Sequence, residues 1–204
     1  MTAPRDEVLA QFATHEVEQQ AATPGMLYPQ LLAQVHRRLA RQWGARVSEA
    51  AHVAFGQSIA DWPAFADTAA ALKYLKRHYK LVILSNVDRA SFAASNAKLG
   101  VPFDAILTAQ DIGSYKPDPR NFRVLIATLG ALGVAPAQIL HTAQSLFHDH
   151  APAKAAGLAC AWIDRRHERP GWGATRPPDG TPAYDFRFES LEQMVRAHEA
   201  EGGP

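Results

Sequence analysis

The sequence contains a single cysteine, Cys160, and almost no net charge, because 21 Lys and Arg residues face 20 Asp and Glu residues. One cysteine excludes an internal disulfide, and its place in the apolar run LACAWI predicts a buried, inert thiol in a reducing compartment. A net charge of +1 gives no electrostatic basis for binding nucleic acid or an anionic membrane. A charged substrate must therefore be bound by local groups.

The sequence also contains no long hydrophobic run. No window approaches the roughly 18 apolar residues of a membrane span, and the start of the chain does not combine a basic flank with an apolar segment. These absences predict a soluble, cytoplasmic protein that acts on a small molecule, without nucleic acid or membrane as a partner. With 47% hydrophobic residues among 204, the chain can bury the core of one domain that carries a smaller insertion or cap.

The first third of the chain lacks a convincing strand, since residues 5–78 have helical patterning throughout. From Lys80 onward, short apolar strands alternate with helices that end at glycine; these strands are LVILS, AILTA, QILHTA and ACAWID. Such an alternation predicts parallel pairing with right-handed crossovers. The predicted fold class is therefore α/β, a doubly wound parallel sheet preceded by a helical region.

Polar side chains follow three of these strands. Ser85 and Asn86 end LVILSN, Lys116 lies in SYKPDP, and Asp149 lies in HTAQSLFHDH. Ligands of open α/β sheets bind outside the carboxyl ends of the strands, so these groups are expected to converge on one ligand. Each residue alone has an ordinary explanation, because Ser and Asn are common at strand ends, lysine in loops, and Ser145 or Asp149 as a helix cap. Their joint spacing favours a functional interpretation.

Three histidines, His141, His148 and His150, surround Asp149 and raise the question of a metal site. His-Asp-His at alternate positions of a turn or helix start does not place all three side chains on one face. We therefore predict no metal ligands here.

Taken together, LVILSN, YKPDP and AQSLFHDHAPAKAAGLACAWIDR resemble the second, third and fourth motifs of the haloacid dehalogenase (HAD) superfamily in order and spacing. The resemblance extends from Arg5 to the C-terminus and is greatest for the 2-haloacid dehalogenase branch. It implies a Rossmann-like core over residues 79–204. Residues 5–78 would form a helical cap and the helix that leads back to the core.

The resemblance also implies a role for each polar residue. Ser85 and Asn86 would hydrogen-bond the substrate carboxylate and the nucleophile, and Lys116 would be the electrostatic partner of that nucleophile. Asp149 would position the lysine or the hydrolytic water. Gln144 stands where phosphatases of the superfamily carry an acid that helps to hold magnesium, and an amide is a poorer magnesium ligand than a carboxylate.

The first motif of the superfamily, a strand that ends in the nucleophilic aspartate, is not found. Met1–Asp6 contains no apolar strand, and Asp6 stands at the start of a helix. We expect the first core strand to be missing, its two neighbours to lack a partner, and the chain as given to be inactive. A shortened gene product, a strand supplied by another chain or the loss of catalysis would explain this, and the intact later motifs favour the first.

The predicted function is the release of halide from a short 2-haloacid through an aspartyl ester, with no cofactor. A magnesium-dependent phosphatase acting on a small phosphoester is the first alternative. Phe122 and Leu146 keep it open, because they stand where the dehalogenase pattern has a tyrosine and an asparagine. A catalytically inactive binding or oligomerisation module is the second alternative, and a homodimer is compatible with each of the three.

Overall fold

The computed structural model describes residues 4–181 and 183–202, so Met1–Ala3, which were part of the search for a first strand, lie outside the described residues. The first part of the described chain is helical, as its patterning predicts. Its helices are α1 (Arg5–Ala22), α2 (Tyr28–Gln42), α3 (Glu49–Gln57) and α4 (Thr68–Leu75), with a 3₁₀ turn at Ser58–Asp61.

The remaining residues alternate between strands and helices. The elements are β1 (Val82–Ser85), α5 (Arg89–Leu99), β2 (Ala105–Thr108), α6 (Ala109–Ile112), α7 (Pro119–Ala131), β3 (Leu140–Ala143), α8 (Ala151–Ala155), β4 (Ala159–Ile163), β5 (Phe186–Phe188) and α9 (Leu191–Ala200). A π-helical turn, Leu146–His150, joins β3 to α8. Among the described helices, none is both long enough and apolar enough to cross a membrane.

Helix α5 shows how local sequence sets these boundaries. The Asp88 carboxylate accepts hydrogen bonds from the backbone N–H groups of Ala90 and Ser91, both at 3.1 Å, and so caps the first turn. Gly100 ends the helix in the left-handed conformation, with φ of 61°. The chain thus leaves β1 and turns within three residues into a helix that covers the sheet.

All strand pairs are parallel, which confirms the predicted α/β class. The strands form two separate ladders, β1 with β2 and β3 with β4 and β5. Within the described residues, β1 and β3 therefore each have one edge without a strand partner. The side chains of β1 are only partly buried along its whole length, although three of the four are Val, Ile and Leu.

Two hydrophobic clusters hold the elements together. The first is built mainly from α2 and includes Ala109 and Tyr115, which follow β2. The second joins α7 to β4, and partly buried Val82 and Leu84 of β1 pack against it. Cys160 belongs to the second cluster and is fully buried, and burial raises the pKa of its thiol to about 11. The predicted buried thiol is confirmed, and both ladders pack on one apolar layer.

Helix α4 is attached to the β-strand region by polar contacts. Arg165 donates from Nη1 to both carboxylate oxygens of Asp67 at 2.9 Å, and Asp67 also accepts from the backbone N–H of Leu191 at 2.8 Å. At the other end of α4, the Tyr74 hydroxyl lies 2.9 Å from Nδ1 of His198 on α9. The domain boundary at residue 78 stays a prediction, but these contacts suit a helix that leads from the cap to the core.

Candidate active site

The loop after β1 and the loop before α7 are joined by a reciprocal pair of hydrogen bonds. The Asn86 side chain donates from Nδ2 to the carbonyl oxygen of Lys116 at 3.0 Å and accepts at Oδ1 from the N–H of Lys116 at 2.7 Å. One amide side chain thereby fixes the backbone of a residue 30 positions away. Asn86 therefore acts here on the position of Lys116.

The Lys116 side chain is buried, with 7% of the residue exposed. Its Nζ donates to the carboxylate oxygen Oδ1 of Asp149 at 2.6 Å and to the carbonyl oxygen of Leu84 at 2.8 Å. A buried ammonium needs both charge compensation and hydrogen-bond acceptors, and this geometry supplies them. The predicted approach of Lys116 and Asp149 is thus present, and the lysine lies between the ends of β1 and β3.

The position of the Leu84 carbonyl shows which edge of β1 Lys116 reaches. Leu81 exchanges hydrogen bonds with Asp104 on the β2 side, through its carbonyl oxygen at 2.8 Å and its N–H at 2.7 Å. Backbone groups of successive residues in a strand point to opposite edges, so those of Val82 and Leu84 point away from β2. Lys116 therefore donates to the edge of β1 that has no strand partner among the described residues.

Asp149 lies in the π-helical turn after β3 and accepts a second contact at Oδ1, from Nε2 of His141 at 3.0 Å. Burial by itself raises the pKa of this carboxyl, but the Lys116 ammonium and the contact with His141 outweigh burial and hold the pKa well below its ordinary value. Asp149 is thus an anion fixed by two partners. Sequence reasoning considered His141 only as a metal ligand and did not anticipate its contact with Asp149.

The three histidines around Asp149 point to different partners. His150 lies 3.0 Å through Nε2 from the carbonyl oxygen of Ala143, and His148 lies 3.1 Å through Nδ1 from the Ser145 hydroxyl. Burial lowers the pKa of His148 to about 4, so its imidazole is neutral near pH 7. No group of three or more His, Cys, Asp or Glu side chains in the described ranges is arranged to hold a metal ion.

Ser85 is the remaining candidate, and it lies at the carboxyl end of β1 opposite Thr108 of β2. Its hydroxyl makes no hydrogen bond to the part of the chain that the structure describes, so it can donate to a ligand. Gln144 is engaged elsewhere, since its Oε1 accepts from the Thr175 hydroxyl at 3.2 Å. Phe122 is buried and packs its ring edge-on against His141, with centroids 5.2 Å apart.

The buried Lys116–Asp149 pair lies at the carboxyl ends of parallel strands, where open α/β folds bind their ligands. A family profile described as a hydrolase, haloacid dehalogenase-like hydrolase, matches residues 6–157. The chain belongs to the haloacid dehalogenase-like hydrolases, which confirms the resemblance seen in its motifs.

Curated relatives support the family but differ in their names. A phosphoserine phosphatase from Thermus thermophilus is 28% identical over 139 residues, which cover 67% of this chain and 51% of the relative. The mouse haloacid dehalogenase-like hydrolase domain-containing protein 3 is 36% identical over 84 residues, 41% of this chain and 32% of the relative. The chain thus matches about half of the first relative and a third of the second.

Solved structures extend the similarity to nearly the whole chain. A crystal structure of an L-2-haloacid dehalogenase matches with a TM-score of 0.75 and 25% identity, covering 98% of this chain and 86% of the other. The L-2-haloacid dehalogenase from Xanthobacter autotrophicus matches with a TM-score of 0.77 and 20% identity, covering 95% and 86%. The second likeness concerns the fold alone.

Proposed function

We propose that this chain forms the cap and most of the core of an enzyme that releases halide from a short 2-haloacid through an aspartyl ester. The observation that carries the proposal is the buried Lys116 ammonium, held by Asp149 and Asn86 at the edge of β1 that has no strand partner among the described residues. The proposal is supported by the 25% identical L-2-haloacid dehalogenase and by a further structural neighbour described with chloropropionic acid covalently bound.

The reaction requires a carboxylate nucleophile in the space between β1 and β3. In the first step, an oxygen of this carboxylate forms a bond to the carbon that bears the halogen, and the halide leaves with the electrons of the broken bond. In the second step, water adds to the ester carbonyl, the 2-hydroxyacid leaves, the carboxylate is regenerated and one proton is released. The proposed nucleophile is an aspartate at the end of a strand placed between the two ladders.

The described residues have distinct parts in this scheme. Lys116 stabilises the negative charge of the nucleophile, while Asp149 and Asn86 hold the lysine in place. The free hydroxyl of Ser85 donates a hydrogen bond to the substrate carboxylate. Among described carboxylates, only Asp149 forms an ion pair with Lys116, and that pairing makes Asp149 a positioning group.

The proposal is tested with three proteins: the chain as given, the chain extended at its N-terminus by an apolar strand that ends in aspartate, and the same extension ending in asparagine. We expect halide release from 2-chloropropionate or chloroacetate only for the aspartate form, with and without magnesium. Loss of a covalent nucleophile can lower the rate on the order of a millionfold. If the aspartate form folds but releases no halide from a panel of haloacids, the proposed function is wrong.

A magnesium-dependent phosphatase is the second candidate, and the curated phosphoserine phosphatase relative favours it. The donor set fits magnesium poorly, because Asp149 Oδ1 already accepts from Lys116 and His141, and the amide oxygen of Gln144 accepts from Thr175. Hydrolysis of p-nitrophenyl phosphate by the extended protein, dependent on magnesium and absent from the asparagine form, would favour this candidate over halide release.

A binding or oligomerisation module is the third candidate, favoured by the edges of β1 and β3 that lack a strand partner in the described part of the chain. Sedimentation of the chain as given distinguishes it: a stable dimer that dissociates when a strand is added at the N-terminus supports this role. A monomer that gains activity on extension contradicts it.

A further inference from the structure

A depression of about 600 Å³ lies on the helical cap, away from the residues around Lys116. It is formed by α2, the loop that follows α2, and the first turns of α3. Its polar and charged lining residues are Arg37, Arg41, Arg46, Ser48, Glu49 and His52. Sites for small molecules in proteins enclose about 300–1,000 Å³, so the depression has the size of such a site.

Positive charge is concentrated in this depression. Three arginines and one glutamate line it, which gives a formal charge of +2, in a chain whose total is only +1. Arg37 is bound to Glu49 through Nε at 3.1 Å and through Nη2. The side chains of Arg41 and Arg46 form no hydrogen bond or ion pair with the described residues. Two guanidinium groups are therefore free to bind an anion.

The contrast with Arg38 shows that these free guanidinium groups are not a general property of α2. Arg38 is directed to α1, where it donates to Glu18 and lies 3.5 Å from the carbonyl oxygen of His15. Its charge is thereby used in packing α1 on α2. Arg41, one turn further along the helix, is directed to the depression instead.

His52 adds a second and independent feature. The residue is 7% exposed, and its Nδ1 lies 3.2 Å from Nδ1 of His36. Its other nitrogen, Nε2, has no hydrogen-bond partner among the described residues and is not completely shielded from solvent. His52 is one of the residues that line the depression, so its imidazole can contribute a polar group to a ligand there. The N-terminus of α3, capped by Ser48, adds positive potential.

We propose that this depression binds a small molecule through a phosphate or diphosphate group, with Arg41, Arg46 and His52 as the binding residues. Guanidinium groups match the planar, bidentate geometry that phosphate oxygens accept, and two free guanidinium groups suit a multiply charged anion. The volume leaves room for the rest of a phosphorylated compound. This site is independent of the proposed dehalogenase function, because none of its residues belongs to the Lys116 site.

The experiment is a calorimetric titration of the full chain with pyrophosphate at neutral pH and constant ionic strength. We expect millimolar or tighter binding to the unmodified protein and a loss of affinity of about tenfold or more in the double variant Arg41→Ala/Arg46→Ala. The matched control is Arg123→Ala, since Arg123 is an exposed arginine on α7 with no partner in the described residues. This control should bind pyrophosphate like the unmodified protein.

The variant His52→Gln provides a second measurement that does not depend on net charge. It should weaken pyrophosphate binding although the three arginines are retained, because the flexible glutamine side chain loses the Nδ1 contact with His36 that fixes the imidazole ring. Circular dichroism verifies that each variant is folded. No pyrophosphate binding at millimolar concentration, or equal affinity in the unmodified protein and the Arg41→Ala/Arg46→Ala variant, would overturn the proposal.

Discussion

Glu16 provides a quantitative test of how α1 packs on α2. It is 8% exposed on α1, and its Oε1 accepts a hydrogen bond from the Tyr28 hydroxyl of α2 at 2.6 Å. Burial raises the pKa of the Glu16 carboxyl to about 7, and the hydrogen bond from Tyr28 opposes part of that rise. Near neutral pH the folded protein therefore keeps a proton on Glu16 that the unfolded chain has lost.

The sign and size of the effect follow from these two pKa values. Below pH 4.5, the ordinary pKa, Glu16 is protonated in both states and contributes no pH dependence. As the pH rises towards 7, the unfolded chain ionises while the folded protein does not, so stability falls. One pKa unit corresponds to about 1.4 kcal/mol, and the total loss is about 3 kcal/mol by pH 8. Glutamine does not titrate and is isosteric, so Glu16→Gln removes this loss.

Urea unfolding of the unmodified protein and of Glu16→Gln at several pH values between 4.5 and 8 checks this prediction. The difference in unfolding free energy should shift in favour of the variant by about 3 kcal/mol across that range. Glu7→Gln is the matched control, because Glu7 lies on the same helix but is exposed and has no ion pair among the described residues. If the difference in unfolding free energy between Glu16→Gln and the unmodified protein does not change with pH, the reasoning is refuted.

Three further predictions concern stability. Burial lowers the pKa of His148 to about 4, so the unfolded chain binds a proton below pH 6.5 that the folded protein does not. As the pH falls from 6.5 to 4 in urea unfolding, the difference in unfolding free energy between His148→Gln and the unmodified protein should shift by about 3 kcal/mol in favour of the variant. Gly56→Ala places a Cβ 2.1 Å from the carbonyl oxygen of Pro29 and should cost about 1–3 kcal/mol, whereas Gly130→Ala has open space and should stabilise α7 slightly in thermal unfolding. Lys116→Met removes the ammonium partner of the buried Asp149 carboxylate and leaves its contact with His141, so it should cost about 3–5 kcal/mol in urea unfolding; a cost under about 1 kcal/mol would contradict the buried ion pair.

The pH effects of Glu16 and His148 on stability oppose each other over a common pH range. As the pH falls from 6.5 to 4.5, protonation linked to Glu16 stabilises the fold, while protonation linked to His148 destabilises it. Each pKa differs from its ordinary value by a similar amount, so the two slopes nearly cancel in the unmodified protein. The single variants should therefore show pH dependences that the unmodified protein hides.

The sequence was sufficient to predict the order of the elements and the group of residues at the strand ends. Apolar runs of four or five residues separated by glycine-terminated helices leave few alternatives to parallel pairing. Ser85, Lys116 and Asp149 follow such runs, so the fold itself brings them to one edge. The predicted pairing of Lys116 with Asp149 depended on the resemblance, since nothing local links residues 33 positions apart.

Other contacts could not be predicted from the sequence because they depend on tertiary packing. The Asn86 amide binds the backbone of Lys116, and asparagine after a strand is equally compatible with that contact and with binding a ligand. His141 is a buried residue of β3, but the carboxylate that it contacts, Asp149, belongs to the following π-helical turn. Glu16 lies on a largely polar helix, so the sequence does not indicate that it is buried; its burial depends on the packing of Tyr28 from α2 against it.

The central claim is that the space beside Lys116, between β1 and β3, receives a carboxylate that forms an ester with the substrate. Intact-protein mass spectrometry after mixing the aspartate-extended chain with excess 2-chloropropionate tests it most directly. We predict a mass gain equal to the haloacid minus hydrogen halide, located by peptide mapping on the aspartate of the added strand and absent from the asparagine form. Halide release without any such adduct, or an adduct on another residue, would contradict the claim.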